Sequence, residues 1–523
     1  MRISTLDTTL RDGAQGCGIS FSLRDKEQII HLLDELGIDI IEAGNPAASP
    51  KDAELLSSRF SLTHARLAAF GATRRKDCAP KDDPALAALG ACNADIAVIF
   101  GKCSLTACRE VIRTTPEENL RMISQSVEYL LSCGKEVIFD AEHFFDSFNE
   151  NPDYALNCLM AAQSAGAAQV CLCDTCGGTL PSKAAEAVGA VTARLQVPVS
   201  IHAHDDSGLA TAVSLAAVEA GAVGVQGTLT GIGERCGNAN LSTVIPDIMF
   251  KLGLDCITRE QLERLTPTVR AVAEICNTAL PGSLPYVGKY AFSHKAGMHV
   301  DAIIKQKGAY EHIPPESVGN HRQILLSEYS GRGSVIKKLE NYDPALAGDE
   351  KLAQHLAATV KQLEHDGYRF DGADASFELL ALRTKGLLKD YFRLELFKVM
   401  QEQVSPDAAT SASAMVKIAV NGQSEMSAAE GLGPVDALDK AMRRALTVFY
   451  PSIAQMRLTD FKVRVLDSSM ATASQVRVLV ESTDGVSFWS TTGVSTDIIK
   501  ASTTALVDSM VYKLYRDDKA AGR

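Results

Sequence analysis

Ile3-Ser4-Thr5-Leu6-Asp7-Thr8-Thr9-Leu10-Arg11-Asp12-Gly13 begins as a strand-like run, breaks into polar and charged residues, and gives way to a helical pattern over 23–36. The unit repeats. Short runs rich in β-branched and other apolar residues occupy 3–7, 38–43, 66–70, 95–100, 136–140, 169–173, 198–203 and 224–229, followed by amphipathic stretches such as 116–131. Repeated βα units close a parallel sheet, and eight is the strand number of a (β/α)8 barrel. A doubly wound sheet fits less well. The polar residues sit just beyond strand after strand, where a barrel gathers its βα loops into one mouth.

The remaining length needs further cores, because 523 residues at 46% hydrophobic content exceed what one ordinary core organises. The expected fold class is α/β: a TIM barrel at 1–270, a helical subdomain at 271–404 and a C-terminal α/β domain at 411–518. Helical patterns run from 349 to about 403, and the aperiodic Ser, Pro, Asp, Ala and Thr of 405–413 predict a linker. In the tail, a strand at 416–420 leads through Gly431 and Gly433 to a helix from Val435. A second strand at 476–480 leads through another to Gly493 and a helix from Thr496. Two copies of strand, strand, helix are expected, with coincidence among short αβ elements as the alternative.

Composition excludes two classes of partner. A formal net charge of −12 without any Lys/Arg-rich block argues against nucleic acid and anionic lipid, and no apolar run reaches membrane-spanning length. With no basic leader before the opening strand, a cytoplasmic protein is expected. Thirteen cysteines, odd in number and scattered, predict reduced and mostly buried thiols. Cys171, Cys173 and Cys176 are the one local concentration; they lack the second Cys/His pair of a zinc knuckle, so structural thiols are expected over a metal cluster.

Four strand ends carry candidate chemistry. After the opening strand, Asp12 offers a hard oxygen ligand for a divalent cation and Arg11 a charge for a developing anion, with a surface ion pair as the alternative. The seventh strand ends His202-Ala203-His204-Asp205-Asp206, and strand alternation throws both imidazoles to one side, a chelating arrangement. The eighth leads into Gly231-Ile232-Gly233-Glu234-Arg235-Cys236-Gly237-Asn238, where glycines permit close approach and Asn238 could be a fourth ligand. A phosphate-cradling loop would use the same letters. The fifth ends Phe139-Asp140-Ala141-Glu142-His143, so Asp140 and Glu142 share a side and one carboxylate can serve as acid or base, against the ordinary reading of solvated strand-end acids.

Leu10-Arg11-Asp12-Gly13-Ala14-Gln15, His202-x-His204, the 231–238 loop and Ser293-His294-Lys295-Ala296-Gly297-Met298-His299 together resemble the 2-isopropylmalate synthase, homocitrate synthase and citramalate synthase family, over essentially the whole chain. Within it, the stretches 16–25, 46–52, 113–119, 139–146, 173–180, 310–319 and 428–438 resemble the citramalate-forming members. The resemblance implies a barrel with a helical subdomain and a C-terminal regulatory domain, working as a homodimer. It implies a divalent metal on Asp12, His202, His204 and Asn238, with Mg or Mn favoured and Zn or Co chemically compatible. Arg11 is implied to polarise a keto oxygen, Thr175 to hold the substrate carboxylate, and Glu142 to do acid–base work at an acetyl group. His299 and Tyr310 are implied to reach over the partner's site.

The implied reaction joins acetyl-CoA to pyruvate, giving (R)-citramalate and CoA, with isoleucine as feedback inhibitor bound near Gly431, Gly433 and Gly493. Two departures stand out. Asp174-Thr175-Cys176-Gly177-Gly178 has Cys where the citramalate-forming pattern usually has Asn, and 101–108 lacks the aromatic-containing pattern expected there. The rival with the same chemistry is 2-isopropylmalate synthase. A metal-dependent barrel hydrolase would carry its H-x-H pair on strand one, and a non-catalytic amino-acid sensor leaves the His pair unexplained.

Overall fold

The computed structural model describes residues 2–295, 299, 302–303, 305–306, 308–325, 331–340, 342–402, 411–466 and 474–522. The chain divides into two compact units, Met1–Phe292 with Glu311–Arg322, and Ser293–Tyr310 with Gln323–Arg523.

In the first unit, β1 (Ser4–Asp7), β2 (Ile40–Gly44), β3 (Arg66–Ala72), β4 (Ile96–Lys102), β5 (Glu136–Glu142), β6 (Gln169–Asp174), β7 (Val199–Ala203) and β8 (Gly224–Gly227) form a closed barrel in chain order. Parallel pairing of Ser4 with Gly224 through Asp7 with Gly227 seals it. These are the eight expected strands, with ends moved by no more than two residues. The helices follow local signals. Leu23–Leu36, for instance, starts at a capping box between Ser22 and Asp25 and stops at Gly37, whose φ of 88° suits a residue without Cβ.

Two apolar layers fix the mouth's position. Between strands and helices lies the larger core, including Ile29, Leu33, Ile41, Ile99 and Val244. Inside the barrel, Leu6, Ile40, Ala68, Ile96, Val98 and Ile138 form a plug. Two residues further along their strands the interior turns polar: Thr8 follows Leu6, Glu42 follows Ile40 and Asp140 follows Ile138, all buried. Burying so many polar groups is costly unless they are paired, which marks this end of the barrel for chemistry. Among the described residues no helix is long and apolar enough to cross a membrane.

The second unit contains helices Arg332–Glu340, Pro344–Ala347, Glu350–His365 and Asp374–Lys385 around Leu339, Leu356, Val360 and Phe377. A short parallel pair joins β9 (Ser293–His294) to β10 (Gln323–Ile324). Two antiparallel sheets follow: β11 (Arg393–Glu402), β12 (Ser411–Val420) and β13 (Gln423–Gly431), then β14 (Arg457–Val465), β15 (Val476–Thr483) and β16 (Phe488–Ser495). Helices Pro434–Thr447 and Ile498–Ala520 pack with them around Val416, Ile418, Leu438, Val480 and Leu506.

The tail corrects five expectations. Its repeat is strand, strand, strand, helix, and β11 occupies a stretch expected to be helical. Residues 411–413 of the expected linker open β12, because all three pair with β11 and Ala412 and Ser413 also pair with β13; 405–410 lie outside the described residues, as do Ala296, Gly297 and Met298 of the 293–299 motif. The second helix starts at Ile498 rather than Thr496. Gly493 sits within β16 rather than at a turn, and a Cβ there would lie 2.2 Å from the Ala501 carbonyl oxygen, so the glycine serves close helix–strand packing.

Candidate active site

The loops at the mouth are held by a few strong contacts. Lys26, buried on the helix Leu23–Leu36, donates to the carbonyls of Leu10 (2.9 Å) and Ala43 (3.1 Å) and pairs with Asp52 at 2.6 Å. That pins the loops after β1 and β2. Beyond β7, Ala239 N donates to Ala203 O at 2.9 Å and Asp205 N to Gly237 O at 3.0 Å, so the glycine loop runs antiparallel along the strand end and sets Asn238 opposite His204. A Cβ at Gly233 would lie 2.1 Å from Asn238 Nδ2, so the loop passes close over this amide only as glycine.

Four of the expected metal ligands converge. The ligand atoms of Asp12, His202 and His204 all lie within 4.8 Å of one another. His202 Nε2 is 3.4 Å from His204 Nε2 and 3.8 Å from Asp12 Oδ2. Asn238 Nδ2 donates to Asp12 Oδ1 at 2.9 Å and to Ile232 O at 3.2 Å, while Asn238 Oδ1 is buried without a hydrogen-bond partner. Donors bound about 2.0–2.2 Å from one ion lie roughly 3–3.6 Å apart, so the 3.4 Å pair already fits a shared divalent cation and the 3.8 Å pair needs a small closing movement. Asn238 meets the same carboxylate through Nδ2, and turning its amide over would bring the orphaned oxygen to that side.

The tautomer agrees. His202 Nδ1 donates to Gln226 Oε1 at 3.1 Å, and Gln226 Nε2 donates to Asp140 Oδ1 at 3.2 Å, which leaves the lone pair of His202 on Nε2, facing His204 and Asp12. Burial, then the neighbouring His204, pushes the His202 imidazole down to about 3, and burial lowers His204 as well. His202 therefore presents its Nε2 lone pair toward His204 Nε2 and Asp12, whereas His204 Nδ1 is buried without a hydrogen-bond partner, so no second residue sets that ring's tautomer. Burial favours neutral Asp12, but Arg11 and the histidines outweigh it and hold the carboxyl well below the usual range.

Arg11 is fixed on three sides. Its Nε donates to Glu42 at 2.5 Å, its Nη1 to Asp12 at 2.7 Å, and its guanidinium carbon lies 3.8 Å above the Phe70 ring centre. Burial opposes its charge, but the Glu42 and Asp12 carboxylates keep it protonated above the ordinary arginine value. Glu42 also accepts from Thr8 Oγ1 at 2.6 Å. Burial and then Glu42 raise Asp140 to about 7. Glu42, Gln226 and Lys26 did not stand out in the sequence; the only available signal is a polar letter on an inward strand position or an apolar helix face.

Glu142 ends β5 beside Lys102 of β4, its cross-strand partner, and the two form an ion pair. Thr175 Oγ1 accepts the His143 N–H at 2.8 Å, and the Thr175 carbonyl accepts from Arg235 Nη2 at 2.8 Å. Arg235 also grips Asp206 through bonds of 2.8 and 2.9 Å, tying the loops after β6, β7 and β8 together. His299 and Tyr310 belong to the other compact unit, where their rings stack on each other with centroids 4.1 Å apart and Tyr310 is 52% exposed.

Residues 2–270 match the HMGL-like family, 286–367 the homocitrate synthase post-HMGL domain-like family, and 371–514 the LeuA allosteric (dimerisation) domain. The chain is 46% identical over 521 residues to an (R)-citramalate synthase of Aquifex aeolicus, covering 99% of both chains. A second (R)-citramalate synthase, from Synechocystis, is 47% identical with 97% of this chain and 95% of the relative covered. The chain belongs to the citramalate synthase family. A probable 2-isopropylmalate synthase of Methanosarcina mazei is more distant, 30% identical with 99% of this chain and 96% of the relative covered. The barrel of this citramalate synthase family member is of the HMGL-like type, whose enzymes depend on a divalent metal.

Proposed function

We propose that this chain condenses acetyl-CoA with pyruvate, hydrolyses the thioester, and releases (R)-citramalate and CoA. One observation carries the reading: five relatives each named (R)-citramalate synthase are 40–47% identical over nearly the full length. Asp12, His202, His204 and Asn238 would hold the ion, which when bound supplies Lewis-acid polarisation of a keto group. Mg or Mn is proposed, and Zn or Co also suits two imidazoles with two oxygens.

The chain's own residues divide the remaining work. Glu142 takes a proton from the acetyl methyl group, and the resulting carbon nucleophile attacks the keto carbon of pyruvate. Negative charge gathers on the former keto oxygen, where the preset Arg11 guanidinium stabilises it until the oxygen takes a proton from water and becomes the hydroxyl, Glu142 returning its own proton to solvent. Thr175 binds the pyruvate carboxylate from the loop that Arg235 braces. Water adds to the thioester, the C–S bond breaks, and CoA leaves as the thiol. His299 and Tyr310 are proposed to cover the site of a second copy in a homodimer, with isoleucine as feedback inhibitor of the C-terminal domain and the cytoplasm as location.

A CoA-release assay over a panel of 2-oxo acids tests the reading. Pyruvate is expected to give a far higher kcat/KM than 2-oxoisovalerate. A hydrophobic pocket discriminates each extra methyl by only about 1–3 kcal/mol unless it clashes, so weak turnover of the branched acid is compatible. Preference for the branched acid would move the assignment to 2-isopropylmalate synthase.

A further inference from the structure

Beside the mouth lies a cluster that the condensation does not use. His143 Nδ1 is 3.6 Å from Cys176 Sγ and 3.6 Å from Asp146 Oδ2, and the three donor atoms all lie within 4.8 Å of one another. We propose that His143, Asp146 and Cys176 form a second metal site, taking a thiophilic or borderline divalent cation such as Zn2+, and that its occupancy inhibits the enzyme.

The spacing suits a tetrahedral ion. With sulfur at about 2.3 Å and nitrogen or oxygen at about 2.0–2.2 Å, neighbouring ligands sit roughly 3.3–3.6 Å apart, so only small side-chain rotations are needed and water can take the fourth position. The imidazole is already set. His143 has a left-handed backbone, φ 58°, which is uncommon for a residue with a Cβ and is maintained by its N–H bond to Thr175 Oγ1 and by its carbonyl accepting from Ser147 N at 2.9 Å.

Donor chemistry separates this site from the buried one. A thiol, an imidazole and a carboxylate select Zn2+, Co2+ or Cd2+ over Mg2+, and the thiol releases its proton to solvent on binding. Solvent reaches the site, since the His143 and Asp146 side chains are 34% and 60% exposed, against 6% and 5% for His202 and Asp12.

Position supplies the inhibition. His143 directly follows Glu142 and Cys176 directly follows Thr175. A dication there places fixed charge one residue from the proposed base and one residue from the proposed carboxylate-binding hydroxyl, and cross-links the loops after β5 and β6. Pyruvate turnover is then slowed. This kinetic consequence rests on the proposed condensation; the binding does not, so the two fail separately.

Full-length enzyme saturated with Mg2+ is titrated with Co2+, and the near-ultraviolet thiolate-to-cobalt charge-transfer absorption is followed. One band-forming equivalent is expected, apart from Co2+ that replaces Mg2+ at the imidazole site without such a band; Zn2+ is expected to abolish the band, and His202→Ala is expected to retain it. Cys176→Ser should lose the band, and both Cys176→Ser and Asp146→Asn should raise the inhibitory Zn2+ concentration at least tenfold. An undiminished band in Cys176→Ser, or its loss in His202→Ala, overturns the site. A Cys176-dependent band without Zn2+ inhibition overturns its regulatory role.

Discussion

Gln226 Oε1 lies 3.1 Å from His202 Nδ1, so an amide on β8 determines which nitrogen of a β7 imidazole carries the proton. The same amide donates to Asp140, which fixes its own orientation. Replacing it by an apolar group leaves the imidazole free to rotate or change tautomer. Gln226→Leu is expected to weaken Mn2+ binding about 10–100-fold by calorimetry, with a parallel fall in turnover, because partners behind a metal ligand typically carry effects of that size. Unchanged Mn2+ affinity would show that the histidine needs no such support.

His202→Ala and His204→Ala should each abolish measurable CoA release while leaving the thermal midpoint within a few degrees of the parent, since the barrel's apolar cores lie elsewhere. Chelation with EDTA should do the same to the unmodified enzyme, reversibly on adding Mg2+ or Mn2+. Full activity in either variant would remove the metal assignment.

How far these features were legible in the sequence follows from their period. The barrel strands announce themselves as short apolar runs, and the His202/His204 pair shares a face simply because strands alternate. Glu42 and Gln226 show no such signal: each is one polar residue in an otherwise ordinary strand, and its partners lie 31 and 24 residues away in the chain. The strand β11 misled for another reason. Arg-Leu-Glu-Leu-Phe-Lys-Val-Met-Gln-Glu is rich in helix formers, but pairing from Arg393 to Glu402 along β12 satisfies its backbone and overrides the weak local preference.

Arg11→Lys keeps the charge and is still expected to lower kcat/KM by on the order of 100-fold, because an ammonium cannot donate to Glu42 and Asp12 in one plane while stacking on Phe70. Steady-state kinetics with pyruvate as the varied substrate tests this. A loss below about threefold would mean that charge alone suffices.

Asp7 gives a pH signature. Its carboxyl accepts from Thr9 N at 2.8 Å and Thr9 Oγ1 at 3.0 Å, and burial pushes it up to about 7 from the ordinary 3.8. An acid raised in the folded state binds its proton more tightly there, so its stabilising contribution is complete below about 3.8 and fades as pH rises to about 7. The loss has a limiting slope of about 1.4 kcal/mol per pH unit. Asp7→Asn cannot ionise, so its urea-unfolding stability relative to the parent should climb between pH 5 and pH 7 and level off above; other titrating groups are common to both proteins and cancel. A difference that does not vary with pH would place the Asp7 carboxyl near its ordinary value.

The proposed amino-acid response of the tail is tested by truncation, and the place of the cut decides what the test reads. A cut at Ser411, the expected domain boundary, would leave β11 without β12, its partner along the whole strand, and expose unpaired backbone that invites aggregation. It would also strip Ala375, Leu379 and Tyr391 of the core they share with Val416 and Leu438. Ending the chain after Phe370 leaves no unpaired strand and matches the start of the LeuA domain at residue 371, although it takes Phe377, Ala381 and Leu382 from the core around Leu339 and Leu356, so the fold of the shortened chain is checked first. Full-length enzyme titrated with isoleucine, leucine and valine should respond most strongly to isoleucine, with a coupling of roughly 1–3 kcal/mol, since an effector acts only through its difference in affinity between active and inactive arrangements. The shortened enzyme, if monodisperse and active, should not respond at all. Retained isoleucine inhibition would place the sensor outside the tail, whereas a folded but inactive product would mean that the tail also assembles the catalytic dimer.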